Sequence, residues 1–234
     1  MNKIARRTVE DGLMRSLIPL LFMGLTAAPV FVKAAQPKLA RDEAEIPTVL
    51  VLGDSLSAGY GLHRSDAYPA LLSEKAAAAG QRLHVINAGV SGDTTGGGLR
   101  RLAPLLRANH VDVLVVELGI NDAFRGVPVG QIEANLQKII DETRARYPQV
   151  RIVIAGMQLP HYGGGDYLNA FGAIYAELAQ RNDAELIPFL LEGVAGDPNL
   201  NQRDMIHPNA SGQRILASNV WPALQSALKK NKQS

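Results

Sequence analysis

Cysteine is absent from the 234 residues. That single gap excludes disulfides, zinc or iron–sulfur centres held by thiolates, and a cysteine nucleophile. An excess of one charge is also missing: Lys and Arg number 24 against 22 Asp and Glu. Repeats and low-complexity linkers are missing too, between Glu45 and Lys230. The longest apolar run, Leu17–Val32 (LIPLLFMGLTAAPVFV), has 16 residues and contains Gly24 and Pro29. It falls short of the ~20 residues that span a bilayer comfortably. What is present suits a folded domain: 47% hydrophobic and 20% charged residues exclude general disorder.

Arg6, Arg7 and Arg15 precede that run, and Val32-Lys33-Ala34 supplies the small residues of a processing site. The pattern predicts a secretory signal peptide over residues 1–34, with Ala34 the last residue removed. Glu10 and Asp11 interrupt its basic part, and a start at Met14 gives the tidier leader MRSLIPLLFMG. Retention of the leader as an anchor is the alternative. Cleavage leaves 19 basic and 20 acidic side chains, a net of −1. The basicity belongs to the leader, so no nucleic-acid footprint is expected. The expected destination is the periplasm or the exterior, with residues 35–234 forming one domain.

Within that domain, apolar runs alternate with amphipathic segments. Strands are predicted at Thr48–Leu52, Leu83–Asn87, Val111–Leu118, Arg151–Ala155 and Glu185–Ile187. Helices are predicted at Ala67–Ala79, Leu99–Ala108, Ile132–Tyr147, Tyr167–Gln180 and Pro208–Lys229. Ser65 or Asp66 is expected to cap the first, Gly80 to stop it, and Pro208 to begin the last. Continuous apolar strands between such helices imply a three-layer α/β/α sandwich around a five-stranded parallel sheet. Ligands then belong beyond the carboxyl ends of the strands.

Four blocks lie at or near those ends. They are VLVLGDSLSAGYG at Val49–Gly61, NAGVSGDTTGGGLRRL at Asn87–Leu102, VVELGINDAFRG at Val115–Gly126 and DMIHPNASGQRILA at Asp204–Ala217. Alone, Gly-Asp-Ser-Leu would equally suit a helix cap at Ser55 or Asp54. The four in order, with GMQLP at Gly156–Pro160 and PFLLEGV at Pro188–Val194, resemble the SGNH (GDSL) hydrolase superfamily. Within it they are similar to the bacterial thioesterase I/lysophospholipase/arylesterase group, over essentially the whole exported chain.

The resemblance implies a flavodoxin-like SGNH hydrolase fold and a monomeric serine esterase needing neither metal nor organic cofactor. It assigns the nucleophile to Ser55, the general base to His207 and the carboxylate partner to Asp204. Oxyanion donors would be the N–H groups of Ser55 and Gly92 and the Asn121 amide. Gly-x-Ser-x-Gly is absent around Ser55, and the three-residue Asp–His spacing differs from the α/β-hydrolase arrangement. Substrates would be small esters, acyl thioesters or lysophospholipids; the alternative is a carbohydrate acetylesterase on the same fold.

Asp54 is expected to accept backbone hydrogen bonds beneath the site and Asp93 to cap the following helix. Gly96-Gly97-Gly98 is no phosphate loop, because no Lys-Ser/Thr follows. His63, His84, His110 and His161 share no ligand spacing and read as surface or packing residues. Phe124–Gly130 and Leu159–Leu168 should flank an apolar acyl pocket. Ile120 stands where the group has a second glycine.

Overall fold

The computed structural model describes residues 46–159 and 165–231. The predicted leader, His161 and half of the Leu159–Leu168 loop lie outside them. Five strands form one sheet: β1 (Thr48–Gly53), β2 (His84–Gly89), β3 (Val113–Glu117), β4 (Arg151–Ala155) and β5 (Glu185–Ile187). Their spatial order is β2-β1-β3-β4-β5, with every pairing parallel. Val49 to Leu52 and Val113 to Val116 are buried, as a sheet covered on both faces requires.

Seven α-helices among the described residues complete the layers. They are α1 (Ser55–Ala58), α2 (Tyr68–Ala78), α3 (Thr95–Ala108), α4 (Ile120–Phe124), α5 (Val129–Arg146), α6 (Asp166–Arg181) and α7 (Ala210–Asn231). In the core, α3 packs on α5 and α5 on α6, while α2 packs on α7. Right-handed crossovers put these two groups on opposite faces of the sheet. From β1 the chain steps outward to β2, then returns past β1 to β3. The strand order reverses there, opening a crevice between the ends of β1 and β3. The described elements belong to one compact unit, and no helix among the described residues is long and apolar enough to cross a membrane.

The five-stranded parallel sandwich is as expected, with β4 and β5 matching to the residue. Three local expectations are corrected. Neither Ser65 nor Asp66 caps α2: both belong to a 3-10 turn, Arg64–Asp66. The Tyr68 N–H donates instead to Gln213 Oε1 of α7, at 2.8 Å. Helix α3 starts at Thr95, with Thr94 Oγ1 as its cap and not Asp93. Gly98 belongs inside it because the helix there lies close on the sheet; a Cβ at Gly98 would collide with Leu118 Cδ1. Helix α7 begins at Ala210, not Pro208. Pro208 sits in a bridge to Asn201, and Asn209 Oδ1 accepts the N–H groups of Ser211 and Gly212.

Candidate active site

Ser55 is the first residue of α1, directly beyond β1. Its neighbour Asp54 accepts the Leu56 N–H at 3.0 Å, so Asp54 is the cap and the Ser55 hydroxyl remains free for another partner. That partner is His207: Nε2 lies 3.0 Å from Ser55 Oγ, across 152 positions of sequence.

Asp204 holds the other side of the ring. Its Oδ2 lies 2.7 Å from His207 Nδ1. Its Oδ1 accepts the N–H groups of Ile206 and His207, both at 3.0 Å. Met205, with φ of 59°, makes the turn tight enough for this double contact. The His207 N–H, the His207 ring and then the Ile206 N–H lower the Asp204 carboxyl to about 2. An ionised carboxylate at Nδ1 requires that this nitrogen carry the proton, leaving Nε2 to accept from Ser55. Tyr60 covers the imidazole, with ring centroids 4.4 Å apart.

The residues named for the oxyanion hole come from three strand ends. Ser55 follows β1, Gly92 follows β2 and Asn121 lies in α4 after β3. Gly92 has φ of 77°. A Cβ there would meet nothing nearer than Arg125 Nη2, at 3.8 Å. The demand for glycine is therefore one of backbone conformation and not of space within the chain. Arg125 Nη2 also donates to the Gly92 carbonyl at 2.8 Å, tying the end of α4 to this loop. Asn121 Nδ2 donates to Asp54 Oδ2 at 2.8 Å.

A family model described as GDSL-like Lipase/Acylhydrolase matches residues 51–215. The chain belongs to that family. It is 40% identical over 190 residues to Esterase TesA of Pseudomonas aeruginosa, covering 81% of this chain and 94% of that one. It is 41% identical over 182 residues to Thioesterase 1/protease 1/lysophospholipase L1 of Escherichia coli K12, covering 78% and 84%. A crystal structure of TesA superposes with a TM-score of 0.73 at 40% identity, over 77% of this chain and 99% of that one. This GDSL-family chain is a serine-type hydrolase of carboxylic esters and thioesters.

Several groups around the site of this GDSL hydrolase escaped the reading of its sequence. Glu117 is fully buried at the end of β3, and its Oε2 accepts from the Asp54 N–H (3.1 Å), the Ser57 N–H (3.2 Å) and Ser57 Oγ (2.5 Å). A lone acid inside the run VLVVEL was the available signal. Arg101 donates to the Ala88 and Gly53 carbonyls at 2.6 and 2.9 Å and pairs with Asp93 at 2.6 Å. Asp93 is thereby engaged as an ion-pair partner and Asp54 as an acceptor for Asn121. His63 contacts Ser65, and His110 lies 3.3 Å from Asp112, in keeping with their reading as ordinary polar residues. Ile120 is half-buried against the core beside Asn121.

Proposed function

We propose that Ser55, His207 and Asp204 form the catalytic triad, and that the N–H groups of Ser55 and Gly92 with the Asn121 amide form the oxyanion hole. The 3.0 Å contact between Ser55 Oγ and His207 Nε2, backed by Asp204, carries this reading. Ser55 Oγ attacks the ester or thioester carbonyl carbon while Nε2 takes its proton. Ionised Asp204 stabilises the imidazolium and holds the tautomer. The tetrahedral oxyanion is held by the three donors, each worth a few kcal/mol in the transition state. Collapse breaks the bond to the leaving oxygen or sulfur, which takes the proton from Nε2. Water then attacks the acyl-enzyme, giving its proton to the same nitrogen, and Ser55 is released with the acid.

The substrates inferred are small aryl or alkyl esters, acyl thioesters and lysophospholipids, as the relatives' names suggest. An apolar acyl portion is supported by five exposed residues on the loops and helix ends that carry the site: Tyr60, Val90, Phe124, Met205 and Ile206. The enzyme is inferred to act as a monomer, without cofactor. It is further inferred to reach the periplasm or exterior after cleavage of residues 1–34, leaving 35–234 as the working domain. N-terminal sequencing of the exported protein should begin at Ala35; a mature chain retaining Leu17–Val32 overturns the export reading.

The deciding experiment compares wild type with Ser55→Ala on p-nitrophenyl esters and an acyl thioester, together with a serine-directed phosphonate probe. Turnover and labelling are expected in the wild type and near loss of both in the variant. Undiminished turnover by Ser55→Ala ends the assignment.

A further inference from the structure

Beneath the nucleophile lie two acids with no exposed surface, Asp54 and Glu117. They come from adjacent strand ends, and the Asp54 N–H itself donates to Glu117 Oε2. That one oxygen takes all three donors offered to Glu117, while Oε1 is buried and receives no hydrogen bond from any donor. A charged oxygen left bare in such a place is costly. A proton on Oε1 removes the cost, because it converts the orphaned acceptor into a donor. The neighbouring acid that could accept it is Asp54, whose own N–H is bound to Glu117 Oε2.

Asp54 has the complementary environment. Its Oδ1 accepts the Leu56 N–H and its Oδ2 accepts the Asn121 amide, so both oxygens already receive donors. A carboxylate can accept only from the NH₂ end of a primary amide. With Asp54 ionised, a flipped Asn121 would set its carbonyl oxygen against a negative charge. The observed orientation commits one amide hydrogen to Asp54 and leaves the second to point elsewhere.

We propose that Asp54 and Glu117 share one proton and one negative charge, and that this buried acid pair fixes the orientation of the Asn121 amide. Asp54 is a positioning residue and Glu117 keeps it anionic. The proposal rests on the reading of Asn121 as an oxyanion donor.

Other groups facing the pair fit a single charge. Ser57 Oγ gives its hydrogen to Glu117, so Tyr68 OH, 2.8 Å away, donates to Ser57. Buried Tyr175 lies within electrostatic reach of Glu117, and Asp93 and His207 within reach of Asp54. The Arg101 guanidinium rests on the carbonyl of Gly53, next in chain to Asp54. Burial pushes both acids upward. Asp54 rises only to about 6, restrained by the hydrogen bonds it accepts, while Glu117 goes well above the carboxylate range, raised further by the Asp54 charge.

The test is a double-mutant cycle on kcat, using a p-nitrophenyl ester. Asn121→Ala alone should lower kcat by roughly 10²–10³. Asp54→Asn alone should lower it about 10- to 100-fold with KM nearly unchanged, since the amide loses its guide and not the substrate. In the Asn121→Ala background the same change should cost about twofold or less, because no amide remains to be guided. An equal loss in both backgrounds overturns the guiding role and leaves the oxyanion assignment standing. Full kcat in Asn121→Ala overturns that assignment, and the proposal with it. A second measurement does not depend on Asp54→Asn folding: infrared difference spectra of wild type against Glu117→Gln at pH 7.5. The wild type should show a protonated-carboxyl C=O band that the variant lacks. Its absence from the wild type overturns the shared proton.

Discussion

Gln202 Nε2 donates to the carbonyl of Tyr60 at 2.6 Å, across 142 positions of sequence. The same nitrogen donates to the Pro208 carbonyl at 3.1 Å, and the Gln202 N–H to the His207 carbonyl at 2.8 Å. One side chain thus fastens the loop that covers the imidazole to the loop that bears it. Gln202→Ala removes both side-chain bonds and keeps the backbone one. The expected result is a roughly tenfold fall in kcat and a loss of about 1 kcal/mol of stability, read by steady-state kinetics and thermal melting. Unaltered kcat would mean that the two loops hold their positions without the amide.

Asp204→Asn should preserve the turn but lose the tautomer. An asparagine can present its NH₂ to Nδ1, which then carries no proton, and Nε2–H can no longer accept from Ser55. kcat should fall about 10³- to 10⁴-fold with the circular dichroism spectrum unchanged. A loss below tenfold would show that Asp204 is dispensable for orienting His207.

Gly92→Ala tests backbone conformation, since space for the methyl exists. Holding alanine at φ of 77° costs on the order of 1–2 kcal/mol. Relaxation of that strain would turn the Gly92 N–H and loosen the Arg125 contact. A 10- to 100-fold fall in kcat is expected, with phosphonate labelling slowed in parallel. Equal kcat in variant and wild type would remove Gly92 from the oxyanion set.

The buried acid also governs how stability varies with pH. Glu117 holds its proton more tightly folded than unfolded, where its ordinary value is 4.5. Above that value the folded state binds more protons, so raising the pH costs stability. Glutamine cannot titrate. The melting temperature of Glu117→Gln minus that of wild type should therefore grow from pH 5 to pH 8. Asp204 acts in the opposite sense and in another range: its stabilising contacts are complete above 3.8 and lost as the pH falls toward 2. A difference between variant and wild type that stays flat from pH 5 to 8 would contradict the elevated Glu117 carboxyl.

The strands were legible because their apolar runs are continuous, and β4 and β5 emerged without a shift. Helices α1 and α4 were not, since four or five residues are too few to display a period. The start of α3 was hidden by its three glycines, of which Gly98 owes its place to Leu118, just beyond β3 and distant in the chain. Ser55, His207, Asp204, Gly92 and Asn121 could be named as candidates because they sit in the four blocks that together carry the family resemblance. Glu117, Tyr60, Gln202 and Arg101 act through partners far along the chain or on another element. No spacing within a single segment reports such contacts.

Because all five strands run the same way, every turn that leads into a strand faces away from Ser55. Ala79 and Gly80, exposed ahead of β2, belong to that far side. A tether spliced there would fasten the enzyme to a bead or a partner protein with its reactive serine turned outward to the solution.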